Sequence, residues 1–230
     1  MEMATIAASR ATGHEQPWNP IAIERLGTVV RCEADDTLYH CAEQTQYLFR
    51  VVTGAARKCS LTADGRRQIV DFLLPGDVSG FCARDAHDFS TEVISSGTMI
   101  ARYPRRGMED LAESDPQVSR WIREMAFNSI SRLQVRTLIL GHTSALARMS
   151  AFLLEWSDRC AEPSTAAISL PMSRYDIADY LAMAVETVSR AITRRERSDV
   201  IAFRSTRRFS ICDRNALQLA TEGDELPITS

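Results

Sequence analysis

The chain is almost devoid of lysine: Lys58 stands alone among 27 basic residues, and the other 26 are arginines. Taken alone, that bias carries no functional reading. Histidine is scarce as well. His14, His40, His87 and His142 are isolated from one another, with no H-x-H and no H-E-x-x-H. The clustered imidazoles that a cupin-like metalloenzyme needs as ligands are therefore missing. There is no nucleophile elbow and no phosphate-binding glycine loop, so the sequence reads as that of a non-enzyme. The six cysteines, at 32, 41, 59, 82, 160 and 212, form no C-x-x-C pair, which removes the zinc-finger and thioredoxin spacings. No metal ligand set is expected. No stretch approaches the run of about 20 apolar residues that crosses a bilayer. Residues 1–20 show no basic leader followed by an apolar core, so a cytoplasmic protein is expected.

What is present is an uneven charge. The chain carries a net −3, yet Pro171 to Cys212 holds eight arginines against five acids, while the remainder holds 19 bases and 25 acids. A basic C-terminal segment on an acidic body is the electrostatic footprint of a module that meets polyanionic nucleic acid, joined to one that does not.

Texture divides the chain further. Residues 1–20 are weakly periodic and expected to form a loose arm. From Gly27 to Tyr103, short β-rich stretches (TLYHC, TQYLFRVV, AARKCSL, RQIVDFLL, TEVIS, TMIARY) alternate with turn signals. Asp64-Gly65 is the clearest hairpin among them. This spacing predicts an antiparallel sandwich or jelly-roll barrel over 21–113. Helical periodicity follows. Ser114-Asp115-Pro116 is a helix start. Ile122, Ala126, Ile130, Leu133, Thr137 and Leu140 then recur every three or four residues, with Trp121, Met125, Val135 and Ile139 on a neighbouring face. A helix over 114–142 with two apolar faces needs two partners: its own β domain and the same helix of a second copy, or two faces of its own chain. Gly141 to Ser144 breaks the pattern, and Ala145 to Arg159 forms a second amphipathic helix. The loop CAEPSTAA and a short strand AISLP lead into the last unit, so that 143–230 is expected to be one domain.

In that unit Ser173 caps a helix through YDIADYL, with Asp176 at the capping-box position. AMA makes a tight turn with Ala182 where glycine is usual, and VETVSRAITRRER forms a second helix. Ile177, Ala178 and Leu181 face Val188 and Ile192, which is helix-turn-helix spacing. Glu186, Ser189 and Arg190 share one face of the second helix. Arginine can donate twice to guanine, and glutamate can accept from cytosine N4. VIAF and RFSIC around Ser205-Thr206 read as a wing whose Arg204, Arg207 and Arg208 reach phosphates. Ser173, Arg174 and Thr187 are further backbone candidates. A basic hairpin after a helix-turn-helix favours duplex DNA as the partner.

From Gly27 to about Leu219 the chain resembles the Crp/Fnr-type transcription regulators. GRRQIVDFLLPGDVSG resembles their effector-barrel segment, and SDPQVSRWIREMAFNSISRLQ their dimerisation helix. SALARMSAFLLEWSDR resembles their linker, and MSRYDIADYLAMAVETVSRAI the recognition unit of the Fnr and FixK branch. The resemblance implies an α+β fold: a cyclic-nucleotide-binding-like β barrel, a long dimerisation helix and a C-terminal winged helix-turn-helix. It implies a homodimer on DNA, RNA polymerase as a further partner, and TTGA-type half-sites read by Glu186, Ser189 and Arg190. Cyclic-AMP-binding members follow a Gly-Glu with Arg-Ser/Thr-Ala about ten residues on. This chain has Gly76-Asp77 and then Arg84-Asp85-Ala86, an acid where the phosphate needs a hydroxyl. Oxygen-sensing members hold an iron–sulfur cluster on cysteines near the N-terminus, and none precedes Cys32 here. The expectation is a regulator without a cofactor. A haem- or nitrogen-oxide-sensing regulator of the same fold, with a His or Cys ligand, is the alternative. Cys160 at the linker-helix end and Cys212 after the wing are the redox candidates.

Overall fold

The computed structural model describes residues 21–62, 64–160 and 167–222. The arm expected over 1–20 and most of the CAEPSTAA loop lie outside them. A short helix α1 (Ile21–Leu26) precedes eight strands: β1 (Thr28–Cys32), β2 (Thr37–Tyr39), β3 (Tyr47–Thr53), β4 (Ala56–Leu61), β5 (Arg67–Leu73), β6 (Val78–Ser79), β7 (Ser90–Val93) and β8 (Thr98–Pro104). Helices α2 (Arg105–Ser114), α3 (Pro116–Gly141) and α4 (Ala145–Cys160) follow. Then come β9 (Ile168–Ser169), α5 (Arg174–Leu181), α6 (Val185–Arg197), β10 (Ile201–Ser205), β11 (Arg208–Ile211) and α7 (Arg214–Glu222).

The expected closed barrel is not formed. The eight strands make two open antiparallel sheets, β1-β8-β3-β6 and β2-β7-β4-β5, with no ladder between them among the described residues. The strands that would close the structure are too short to do so: β6 has two residues and β2 has three. Side chains rather than hydrogen bonds join the sheets. Phe49, Val51 and Ile100 from the first sheet meet Tyr39, Ala56, Leu73 and Val93 from the second in one apolar cluster, which is how two sheets bury their inner faces. The β4–β5 hairpin turns at Gly65, as its sequence predicts. The β3–β4 turn requires Gly54, whose φ is +84° and where a Cβ would lie 2.2 Å from Thr98 Oγ1.

Helix α3 begins where expected. Pro116 occupies its first turn, and the Asp115 side chain accepts from the Gln117 N–H at 2.8 Å. Its Val118, Trp121 and Met125 pack on Ile23, Tyr103 and Met108, tying α1, α2 and β8 together. Ser144 caps α4 through the Ala147 N–H. The largest core cluster runs between the two halves of the molecule. Ile69 and Phe72 of β5 join Phe152, Leu153 and Trp156 of α4, Tyr180 of α5 and Val188 and Ile192 of α6. Each such side chain contributes roughly 1.5–3 kcal/mol on burial.

Candidate DNA-reading surface

Local chemistry builds the reading unit. Ser173 caps α5 and accepts from the Asp176 N–H at 3.1 Å, while Asp176 Oδ2 accepts from the Ser173 N–H at 2.9 Å. The capping box read from the sequence is complete. Ala182 then adopts the left-handed conformation, φ 52° and ψ 51°, at the helix C-cap. A β-carbon makes that conformation costly, by roughly 1–2 kcal/mol, and the apolar seam between the helices offsets it. Ile177, Ala178, Leu181, Val188 and Ile192 all belong to the core cluster.

With that seam turned inward, Glu186 and Arg190 are exposed and Ser189 is half-buried between them. Arg190 Nη2 donates to Thr187 Oγ1 at 3.3 Å, which holds the guanidinium along the helix rather than over Glu186. The surface ion pair that i,i+4 spacing permits is absent. The wing is present as well: β10 pairs with β11 and β11 with β9, so Arg204, Arg207 and Arg208 are exposed at and beside its turn. Arg174 lies over the Phe203 ring of the wing, 5.8 Å from its centroid, joining α5 to β10. The structure thus gathers Ser173, Arg174, Thr187, Glu186, Ser189 and Arg190 on one helix pair with the wing beside it.

Sequence reasoning missed Arg195. It is 4% exposed and donates through Nε to Ser150 Oγ at 3.0 Å, anchoring α6 to α4. Burial pushes its pKa down. An arginine in a run of arginines gives no local sign that it points inward.

Asp77, the acid of the Pro-Gly-Asp turn, is occupied. Its carboxylate takes Arg132 of α3 at 2.8 Å, Arg159 of α4 at 2.8 Å and the Leu74 N–H at 2.8 Å. Asp71, 2% exposed, takes Arg132 at 2.9 Å. Arg84 points outward and pairs with Asp88, and Asp85 is exposed. The space between the sheets at this level is filled by Tyr39 stacked on His87, centroids 3.7 Å apart. Tyr39 also bonds Ser79, which bonds Thr91 at 3.3 Å. A cyclic phosphate would need an inward arginine there, and the outward Arg84 does not fit it.

The thiols separate by burial. Desolvation pushes Cys160 up to about 12, which keeps it a thiol at neutral pH, whereas Cys212 is exposed. Among the described residues, no group of three or more His, Cys, Asp or Glu is placed to hold a metal ion. No helix among them is long and apolar enough to cross a membrane.

A two-sheet effector-type domain, a long helix with exposed apolar residues and a winged helix-turn-helix with an outward basic face together define a DNA-binding regulator. Residues 147–220 match the Crp-like helix-turn-helix domain, and residues 29–115 match the cyclic nucleotide-binding domain. The chain is 37% identical over 181 residues to the nitrogen fixation regulation protein FixK of Bradyrhizobium diazoefficiens, covering 78% of this chain and 76% of that protein. It is 37% identical over 180 residues to the transcriptional activatory protein AadR of Rhodopseudomonas palustris, covering 77% and 75%. The solved structure of FixK2 from Bradyrhizobium japonicum superposes with a TM-score of 0.78 at 35% identity, covering 84% of this chain and 96% of that one. The chain belongs to the Crp/Fnr family of DNA-binding transcription regulators, in its FixK/Fnr-like branch. These relatives are regulators, not enzymes.

Proposed function

We propose that the protein is a homodimeric transcription regulator that reads a palindrome with TTGA and TCAA arms, without cyclic AMP or an iron–sulfur cluster. The observation that carries this reading is the outward face of α6. Glu186 and Arg190 are exposed there, and neither has an ion-pair partner among the described residues. Arg190 then donates to the guanine of each arm and Glu186 accepts from a cytosine on the opposite strand. Ser189 lies between them. Ser173, Arg174, Thr187 and the wing arginines hold phosphates and fix the register.

Two copies meet along α3. Its Trp121, Met125 and Ile139 are spent inside the chain, but Phe127 is 59% exposed, Ile130 48%, Leu133 38% and Leu138 73%. Ile122, Ala126 and Leu140 are half-buried and Thr137 is exposed on the same helix. A row of apolar side chains this long is covered in a working molecule, and a two-fold axis along it pairs each residue with its equivalent. The functional division is then 21–113 for the effector-type domain, 114–142 for the dimerisation helix and 143–230 for the DNA-binding domain. RNA polymerase is the further partner, as suits a relative of a transcriptional activatory protein.

The test is selection of bound sites from random duplexes, with and without millimolar cyclic AMP. The expected outcome is enrichment of two-fold TTGA/TCAA sites in both conditions, with arms about one helical turn, roughly 34 Å, apart. Asymmetric sites, or enrichment only with cyclic AMP, contradict the proposal.

A further inference from the structure

The reading helix α6 leans on α5, and the β domain grips α5 from its other side. Asp176 is 3% exposed, and its two oxygens have separate duties. Oδ2 closes the capping box by accepting from the N–H and hydroxyl of Ser173, at 2.9 and 2.7 Å. Oδ1 accepts from Arg57 Nη1 of β4 at 3.2 Å and from Arg67 Nη2 of β5 at 2.7 Å. Arg67 also donates to Asp179 Oδ2, one turn further along α5, at 2.9 Å. Arg57 is itself held in place, donating to Glu92 at 2.8 Å and Asp35 at 3.0 Å. Below these ion pairs Phe72 of β5 packs on Tyr180 of α5, ring centroids 5.0 Å apart. Two arginines on adjacent strands thus hold a helix whose partner helix carries the reading face. None of the clasp residues lies on the face that carries Glu186 and Arg190.

We propose that Arg57 and Arg67 are positioning residues for DNA reading: through Asp176 and Asp179 they fix the angle at which the β domain presents its helix-turn-helix. In the dimer of the proposed function, on which this inference rests, that angle sets the separation of the two reading helices. The clasp governs how precisely the dimer measures half-site spacing, while base preference stays with α6. Guanidinium–carboxylate geometry suits this role because it fixes direction as well as distance. The clasp also links the DNA-binding domain to β4 and β5 of the β domain. A change that moves β4 against β5 reaches α5 without passing along α3.

The experiment measures affinity for the palindrome that the full-length wild type selects, for versions with one base pair added or removed between the arms, and for one with the arm guanine replaced. Arg67→Glu places an acid against Asp176 and Asp179. It is expected to weaken the best palindrome about tenfold, a typical coupling between sites. It should also flatten the preference for correct spacing, while the penalty for the replaced guanine persists. The charge exchange Arg67→Glu with Asp179→Arg is expected to restore spacing preference, which a merely stabilising residue would not require. Arg67→Gln, with the cation removed and no acid introduced, gives the same flattening should Arg67→Glu fail to fold. Unchanged spacing preference in a folded Arg67 variant overturns the proposal alone. A wild type indifferent to spacing overturns the palindromic reading, and this proposal with it.

Discussion

Two sets of arginines divide this molecule. Arg57, Arg67, Arg132 and Arg159 lie between the β domain and the helices, each within 4.0 Å of at least one carboxylate. Arg190, Arg204, Arg207 and Arg208 lie on α6 and the wing, and none has an ion-pair partner among the described residues. The residue type is the same and the use is opposite. At the junction the acids Asp71, Asp77, Asp176 and Asp179 neutralise the cations and fix one helix against another. On the outward face of α6 and the wing, Glu186 forms no ion pair with these arginines, so their charge is not neutralised locally. A count of arginines cannot separate the sets; only the location of the carboxylates does.

The largest effect is expected on the apolar face of α3, where the proposed dimer places the second copy. Ile130→Glu with Leu133→Glu places four acids along a two-fold seam and should convert the protein to monomers. Sedimentation should show the smaller species, and specific DNA binding should disappear. A dimer that survives the double change moves the interface off α3.

The junction is expected to respond next, in stability. Asp71→Ala takes one of two carboxylates from the half-buried Arg132, which keeps Asp77 at 2.8 Å, and should cost about 1.5–3 kcal/mol, the range for a hydrogen bond to a charged group. Arg84→Ala removes an exposed pair with Asp88 and should leave the denaturation midpoint unmoved, since such pairs contribute little. Equal effects from the two changes would remove the distinction between buried and exposed arginines.

A smaller, pH-dependent effect is expected at Glu155, which sits 3.9 Å from Arg159 with one carboxylate oxygen lacking a hydrogen-bond partner. Desolvation by burial pushes its pKa up. The native state therefore holds the proton longer than the unfolded chain. Stability is lost as pH rises from the ordinary glutamate range through the raised value, and is regained on acidification. Glu155→Gln should raise the melting temperature at pH 8, and the gain should shrink as the pH approaches 4.5, the ordinary value for this group. A gain that grows on acidification contradicts the burial argument.

The parts of this account that were legible in the sequence are local ones. A capping box is set by residues three apart, and the helix-turn-helix seam by residues within one unit, so Ser173, Asp176 and the α5–α6 pairing were readable. The hairpin at Gly65 and the start of α3 at Asp115 were equally plain. Sheet closure was not, because alternation shows which strands exist without showing whether their edges meet. The two-residue β6 and the three-residue β2 leave them apart. Strand β1 lies within the β texture that begins at Gly27, although its own stretch was not singled out. The clasp was invisible for a different reason. Arg57 and Arg67 meet Asp176 across 119 and 109 residues, and no periodicity within one segment reports such a pairing.

The central claim is that Arg190 of α6 reads bases while the unpaired arginines of the wing hold phosphates. The direct test compares Arg190→Ala with Arg207→Ala on the selected palindrome and on random duplex, across a salt series. Arg190→Ala should cost about 1–3 kcal/mol per half-site on the palindrome only, and should relax the preference at the guanine. Arg207→Ala should weaken both duplexes alike and lower the salt slope by about one. If Arg190→Ala weakens palindrome and random DNA equally, Arg190 is a phosphate contact and the division between reading and anchoring arginines is wrong.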